Sequence, residues 1–191
     1  MAREKIYTRA GDDGTTGLFY GGRVGKDSAL PRAYGAVDEA QAILGLVRAE
    51  AGKGTELDDI LVHICRDLWV LMAELATLPE NRSKLVDGRT RVTAEMVEKL
   101  EHMIDSLDER FVPPTDFVVP GQNKVSALLD VETRIDGCLH VGDRIGEREG
   151  QFLHRGAAGL ANVITRDRDR VPLRHVARAV LEDVEIGRAH V

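Results

Sequence analysis

Apolar residues recur at helical spacing along much of the chain. The clearest stripe lies between about residues 56 and 77 and consists of Ile60, Ile64, Leu68, Leu71 and Leu75. Steps of three and four residues place these side chains on one face of a helix roughly 30 Å long, at ~1.5 Å per residue. A similar stripe that includes Ala40, Leu44 and Val47 predicts an earlier helix over about 34–51, which the glycines at 52 and 54 end.

Two more helices are predicted in the second half of the chain. Thr93 is a candidate N-cap, although Met96 stands where a capping box would place Glu, and the apolar spacing continues to about residue 109. A fourth helix is predicted from near Asn123, and residues 78–92 are predicted to be a connecting loop. Strand signals are weak. The pattern therefore indicates an all-α protein, a single domain built as an antiparallel four- or five-helix bundle behind an N-terminal loop.

Composition narrows the possible functions. A chain of 191 residues suits one domain with a sizeable core, and its net charge of −6 argues against general nucleic-acid binding. No apolar run reaches the ~18 residues of a membrane span, and the N-terminus has no apolar signal region, so we expect a cytoplasmic protein. Cys65 and Cys138 fit a reducing compartment, with Cys65 predicted to pack in the core. We predict no metal site formed by side chains.

Residues 1–32 carry the candidate chemistry and are predicted to form an ordered loop or a short hairpin. Glycines allow a phosphate to approach the backbone closely, threonine hydroxyls donate hydrogen bonds, and cationic side chains supply charge. Asp12 and Asp13 would orient these cations or meet a phosphate-bound Mg²⁺. The alternative is a solvated glycine-rich loop. The residues that fit a polyphosphate are Thr8, Arg9, Gly11, Gly14, Thr15, Thr16, Gly17 and Lys26.

The order of these residues resembles a known family. The stretch KIYTRAGDDGTTGLFYGGRVGKDS, residues 5–28, is similar to the opening of the PduO-type ATP:cob(I)alamin adenosyltransferases. The resemblance continues in residues 34–39, 66–69, 92–107 and 117–121, and so covers most of residues 4–131. It implies a homotrimer of helical bundles in which ATP binds between subunits and the N-terminal loop holds the triphosphate.

The resemblance also implies roles for individual residues. Asp38 matches an aspartate that pairs with an arginine near the corrinoid, and Phe117 matches an aromatic residue that helps to displace the lower axial ligand of cobalamin. The implied reaction transfers the 5′-deoxyadenosyl group of ATP to Co(I) and releases triphosphate. The positions that match ATP contacts of the family are Thr8, Arg9, Ala10, Gly11, Thr16 and Lys26.

Each of these roles has a structural alternative. Asp38 and Glu39 are alternatively acids in the first turn of a helix, and Phe117 is alternatively a core residue. Arg66 is alternatively part of a surface ion pair. Trp69 is more often a core residue than one that stacks on a ligand.

The resemblance weakens after Val131. In the family, this helix carries arginines and a glutamate that hold ATP, but here Thr133 and Gly137 stand at arginine positions and His140 stands at the glutamate position. Residues 132–191 contain ten Arg and no Lys. Two hypotheses follow: either this third is not a native reading frame, or the protein has diverged to bind nucleotide or corrinoid without adenosylation. We predict poor packing beyond about residue 136.

Overall fold

The computed structural model describes residues 7–110, 119, 121 and 123–135. This part of the chain contains a two-stranded antiparallel hairpin, four α-helices and one short 3-10 helix, which confirms the predicted helical bundle and the N-terminal hairpin. In chain order the elements are β1 (Thr15–Gly17), β2 (Arg23–Gly25), α1 (Ala29–Ala51), α2 (Glu56–Leu75), the 3-10 helix (Pro79–Lys84), α3 (Ala94–Asp108) and α4 (Lys124–Ile135).

Helix α1 begins five residues before the predicted start near residue 34. It includes Pro31 in its first turn, where a missing N–H breaks no helical hydrogen bond. Ser28 precedes the helix, but its hydroxyl donates to the Gly25 carbonyl at 2.7 Å. The hairpin therefore leads into α1 through a tight turn. Asp38 and Glu39 lie well inside the helix, so the alternative that they are first-turn acids is wrong.

Asp58 joins the end of α1 to the start of α2. Its buried carboxylate accepts hydrogen bonds from Arg48 Nε at 2.8 Å and from the Gly54 N–H at 3.1 Å. The hydroxyl of Thr55 accepts from the Asp58 N–H at 3.2 Å and caps α2. The Gly54 N–H, followed by the Arg48 guanidinium, lowers the pKa of Asp58. These contacts fix the turn between the two helices.

Two ion pairs show the relative orientation of the helices. Arg110, just after α3, donates to both carboxylate oxygens of Glu56 at the start of α2, at 2.6 and 2.9 Å. Lys124, at the start of α4, donates to Glu50 near the end of α1 at 2.7 Å. Helices α2 and α3 therefore run antiparallel, as do α1 and α4, and these four helix ends lie at one end of the bundle.

The core follows the apolar stripes that the sequence predicts. In α2, four of the five predicted stripe residues are buried, and Ile60 is partly buried against them. Helices α1, α3 and α4 contribute most of the rest of the cluster, and Val92 joins it from the segment before α3. The described side chains that are most fully buried include Leu44, Val47, Leu57, Leu61, Val92 and Leu129. Burying such aliphatic side chains is the main favourable contribution to folding.

Three details differ from the sequence-based picture. Trp69 is 59% exposed on α2, so the prediction that it belongs to the core is wrong. The segment predicted as a connecting loop after α2 contains the 3-10 helix. Thr93 precedes α3 as predicted, but its side chain makes no capping hydrogen bond. Cys65 is half-buried against the core, and this burial raises the pKa of its thiol.

Some predictions concern residues outside the described part of the chain. These are the role of Phe117, the setting of Cys138 and the packing beyond about residue 136. Within residues 7–110 and 123–135, no helix is both long enough and apolar enough to cross a membrane.

Candidate functional site

The hairpin gathers the predicted triphosphate residues into one exposed segment. Strands β1 and β2 pair in antiparallel fashion, with Thr16 opposite Val24. Before β1, the chain turns tightly, because the Gly14 N–H donates to the Gly11 carbonyl at 3.2 Å. The Gly14 carbonyl then accepts from the Lys26 N–H at 2.9 Å. The loop of residues 9–14 and Lys26 are thereby held side by side.

Lys26 lies directly against Gly11. A Cβ atom on Gly11 would lie 3.1 Å from both Cε and Nζ of Lys26 and 2.8 Å from the Thr15 carbonyl oxygen. Glycine is therefore required at position 11, because a side chain there would collide with the Thr15 carbonyl oxygen and crowd the Lys26 ammonium group. This contact supports the predicted pairing of a glycine-rich loop with a lysine.

Arg23 ties the loop to the hairpin. Its Nη2 atom donates to the Ala10 carbonyl at 2.5 Å, and its Nε and Nη2 atoms donate to the Thr15 hydroxyl at 3.0 and 2.7 Å. Sequence reasoning assigned no specific role to Arg23. The sequence shows a cationic residue at this position. Its hydrogen-bond partners, Thr15 and Ala10, are eight and thirteen residues away, and only the hairpin register brings them to Arg23.

Asp13 organises the same corner of the loop. Its Oδ1 atom accepts from the Thr15 N–H at 2.9 Å and from the Thr15 hydroxyl at 2.8 Å. These bonds, with the nearby Arg23 guanidinium as a smaller cause, lower the pKa of Asp13. Asp13 lies near Arg23, at 3.9 Å, and not near Arg9 or Lys26, so its predicted role in orienting those two cations stays a prediction. The Thr15 hydroxyl, predicted to donate to phosphate, donates to Asp13 in this structure.

Thr8 and Arg9 form the entry to the loop. The Thr8 hydroxyl accepts from the Ala10 N–H at 3.3 Å, and the Arg9 guanidinium carbon lies 5.5 Å from the centre of the Tyr7 ring. Arg9 has a φ of 58°, an uncommon backbone conformation for a residue other than glycine. An arginine held over a ring by a constrained backbone presents its charge in a restricted direction.

The tip of the hairpin docks on the bundle beyond the end of α2. The Phe19 N–H donates to the Ala76 carbonyl at 2.9 Å. From the 3-10 helix, Asn81 Nδ2 donates to the Gly21 carbonyl at 3.3 Å and Lys84 Nζ contacts the Tyr20 carbonyl at 3.4 Å. The candidate site therefore lies at the end of the bundle opposite the α1–α2 turn.

Comparison with known proteins decides the family. The sequence profile of the cobalamin adenosyltransferase family matches residues 6–134, about two thirds of the chain. This chain belongs to the cobalamin adenosyltransferase family. The match includes the hairpin and all four described helices up to Arg134.

Relatives in this family are similar over the same region. A corrinoid adenosyltransferase of Citrobacter freundii is 40% identical over 127 residues, which are 66% of this chain and 70% of that protein. A corrinoid adenosyltransferase of Mycobacterium tuberculosis (strain H37Rv) is 38% identical over 128 residues, 66% of this chain and 65% of that protein. The match therefore spans about two thirds of the length of these relatives.

Solved structures with this fold are also known. A variant of a PduO-type ATP:corrinoid adenosyltransferase from Lactobacillus reuteri, complexed with cobalamin and ATP, superposes with a TM-score of 0.72. It is 21% identical in sequence, and the superposition covers 95% of this chain and 96% of that one. This likeness concerns the fold.

For this member of the cobalamin adenosyltransferase family, the structure brings together the loop residues but not Asp38. Residues from Thr8 to Thr16 lie with Lys26 on the hairpin, and the Thr16 hydroxyl has only a long contact of 3.5 Å, with the Gly17 carbonyl. Asp38 is exposed on α1, about 14 Å along the axis from the helix start at ~1.5 Å per residue. Within the described part of the chain, Asp38 has no ion pair with the loop, and Arg66 has none with any residue. Phe117 lies outside that part.

Proposed function

We propose that this protein transfers the 5′-deoxyadenosyl group of ATP to the reduced cobalt of a corrinoid and releases triphosphate. The observation that carries this proposal is the position of Lys26 against Gly11, beside a loop whose backbone and cations face solvent in a chain of this family. Exposed cationic side chains beside backbone N–H groups are suited to a triphosphate, although Asp12, Asp13 and Asp27 lie in the same segment.

The reaction makes limited chemical demands on the protein. The electron pair of Co(I) forms the bond to C5′ of ATP while the bond from C5′ to the triphosphate oxygen breaks, and that electron pair leaves with triphosphate. No proton is transferred in this step, so no side-chain base is needed. The protein must align C5′ with the cobalt and balance charge on the departing group.

Each predicted site residue takes one of these tasks. We assign triphosphate binding to Arg9, Lys26 and the loop from Thr8 to Thr16, including Ala10, Gly11, Asp12, Gly14 and Thr15, with Mg²⁺ bound to the phosphates. We assign Asp38 and Phe117 to the corrinoid. The exposed position of Asp38 leaves its carboxylate accessible to a partner that the described residues do not supply.

We also propose a homotrimer with ATP between the subunits. Leu46 on α1 and Trp69 on α2 support it, since they are 56% and 59% exposed and large exposed apolar side chains are common at interfaces. A cytoplasmic location is supported by the free thiol of Cys65, because reducing compartments keep thiols unpaired.

A second candidate function is a module that binds ATP or corrinoid without transferring the adenosyl group. The sequence of residues 132–141 favours it, because Thr133, Gly137 and His140 replace the arginines and glutamate that the family resemblance implies. Under this proposal, residues 1–131 keep the family pattern, and residues 132–191 are a divergent or non-native part of a single domain.

One assay separates the two candidates. Purified protein is incubated anaerobically with ATP, Mg²⁺ and chemically reduced cobalamin, and the cobalt–carbon bond is followed by absorbance while triphosphate is quantified. Equal amounts of adenosylcobalamin and triphosphate would support the enzyme. ATP binding without either product would support the binding module, and the absence of both binding and turnover would contradict both proposals.

A further inference from the structure

Glu74 is a fully buried acid near the end of α2. Its side chain is 0% exposed, and its Oε2 atom accepts a hydrogen bond from the Val92 N–H at 2.8 Å. Its Oε1 atom lies 3.7 Å from Arg82 Nη1, which is too long for a hydrogen bond, and has no other hydrogen-bond partner among the described residues. Only one of the two carboxylate oxygens therefore accepts a hydrogen bond from the described residues.

Burying a carboxylate in this way is costly. A charged group loses its hydration when it is buried, and a partner of opposite charge must offset that loss. Arg82 on the 3-10 helix is the cation that can do so, and its side chain is 21% exposed. Burial lowers the pKa of Arg82, Glu74 opposes that change, and Arg91 adds to it. The buried pair thus couples α2 to the 3-10 helix.

The same two elements hold the tip of the nucleotide hairpin. Two residues after Glu74, the Ala76 carbonyl accepts from Phe19, and the neighbours of Arg82 on the 3-10 helix, Asn81 and Lys84, contact hairpin carbonyls. A Cβ atom on Gly22 would collide with Leu78, so the tip lies closely against the residues between α2 and the 3-10 helix. We call residues 74–84, which comprise the end of α2, the 3-10 helix and the residues between them, the platform.

The hairpin transmits the position of its tip to the loop. Strand β2 runs from the tip to Lys26, and Arg23 at its start donates to the Ala10 carbonyl. A shift of the 3-10 helix relative to α2 would move both strands, because β1 and β2 are paired along their whole length. The loop and Lys26, which the Gly14 carbonyl and Arg23 hold to the hairpin, would then move together relative to the bundle.

From this geometry we infer that Glu74 and Arg82 are positioning residues that set the platform and thereby hold the triphosphate loop in its binding geometry. Only the predicted change in ATP affinity rests on the proposed function. The effect on the hairpin itself can be measured without nucleotide.

The test is the substitution Glu74→Gln, which keeps a carbonyl oxygen for the Val92 N–H but removes the charge opposite Arg82. Glu80→Gln is the matched control, because it removes the same charge from an exposed position on the same 3-10 helix. Hydrogen exchange without nucleotide should speed up in Glu74→Gln at the Phe19 amide, which donates to the Ala76 carbonyl of the platform. The Kd for ATP should rise roughly two- to thirtyfold, the range typical of coupling through packed elements. Glu80→Gln should match the wild type in both measurements.

A second pair of variants separates positioning from general stability. Glu74→Gln with Arg82→Gln removes both charges, so it should recover part of the ATP affinity that Glu74→Gln loses. If Glu74→Gln does not fold, Arg82→Lys, which keeps the charge but loses the planar fork, should show a smaller change in the same direction.

The inference is overturned if Glu74→Gln lowers the melting temperature while hairpin exchange and ATP affinity stay at wild-type values, because Glu74 would then be merely structural. It is also overturned if Glu80→Gln has the same effects as Glu74→Gln. Failure of the wild-type protein to bind ATP would count against the proposed function instead, and the exchange measurements would still decide the role of the platform.

Discussion

The two ends of the bundle use their cations differently. At the α1–α2 turn, each of Arg48, Arg110 and Lys124 lies within 2.8 Å of a carboxylate oxygen. At the hairpin, Arg23 binds a backbone carbonyl and a hydroxyl, and Lys26 lies against Gly11. There the carboxylate of Asp13 approaches Arg23 only to 3.9 Å.

This difference in how the cations are paired indicates which end of the bundle is available to an anionic ligand. A cation paired closely with a carboxylate is largely neutralised and joins two helices. A cation bound to neutral carbonyl and hydroxyl oxygens keeps its charge, which then acts on an incoming anion. We therefore propose that the hairpin end is the functional end and that the turn end is structural. Four substitutions test this contrast.

Lys26→Ala should have the largest effect on ATP binding. Removing a charge-assisted hydrogen bond costs about 1.5–3 kcal/mol, which corresponds to a loss of affinity of about ten- to a hundredfold. Lys124→Ala is the control at the turn end, and its ATP affinity should be that of the wild type in calorimetric titration. If both substitutions lowered ATP affinity equally, the two ends of the bundle would not differ in function.

Gly11→Ala should weaken ATP binding by a smaller factor. The new Cβ atom would lie 2.8 Å from the Thr15 carbonyl oxygen and 3.1 Å from Lys26 Nζ, so the lysine must move. We expect a cost of about 1–2 kcal/mol in ATP binding, as for other overpacked contacts. Gly45→Ala, on an open face of α1, is the control and should raise the unfolding free energy by roughly 0.5–1 kcal/mol without changing affinity. An unchanged ATP affinity in Gly11→Ala would show that Lys26 need not contact the loop.

Asp58→Asn should lower stability but leave ATP affinity unchanged. The folded protein lowers the pKa of Asp58 from its ordinary value of 3.8, so its charge stabilises the fold above that pH. This contribution is lost as the pH falls through the lowered pKa. Denaturant melts of both proteins should therefore differ most near neutral pH and converge in acid. A constant difference at all pH values would mean that the Asp58 charge is not the cause.

Arg110→Ala should have the smallest effect. Arg110 and Glu56 are 30% and 51% exposed, so solvent screens their attraction and its loss costs about 0.5 kcal/mol. The difference from the wild type should shrink further when denaturant melts are repeated in high salt. A loss of ATP affinity in this variant would contradict the assignment of the turn end to structure.

The helices were largely predictable because burial imposes a period on the sequence. The stripe from Ile60 to Leu75 identifies α2, and its limits fall within two residues of those predicted. The start of α1 was placed five residues late, and the missed first turn contains Pro31, which this position of a helix tolerates. The 3-10 helix is too short to produce a detectable period.

The candidate site was predictable in composition but not in geometry. The glycine, threonine and lysine pattern indicated a phosphate loop, and the structure brings those residues together. The hydrogen bonds of Arg23 and the burial of Glu74 could not be predicted from the sequence, because strand register and tertiary packing determine the partners of these two residues. Trp69 lies about 140° around the helix from the centre of the apolar stripe, so helical periodicity already indicated its exposed side, and the prediction of a core position followed residue type alone.

We propose above all that the exposed cations of the hairpin hold a triphosphate. Calorimetric titration of the wild-type protein with ATP and Mg²⁺, at low and at high salt, tests it most directly. We expect saturable binding with a Kd below ~1 mM that weakens as salt screens the exposed charges. Absence of binding at low salt, or an affinity that does not change with salt, would contradict the claim.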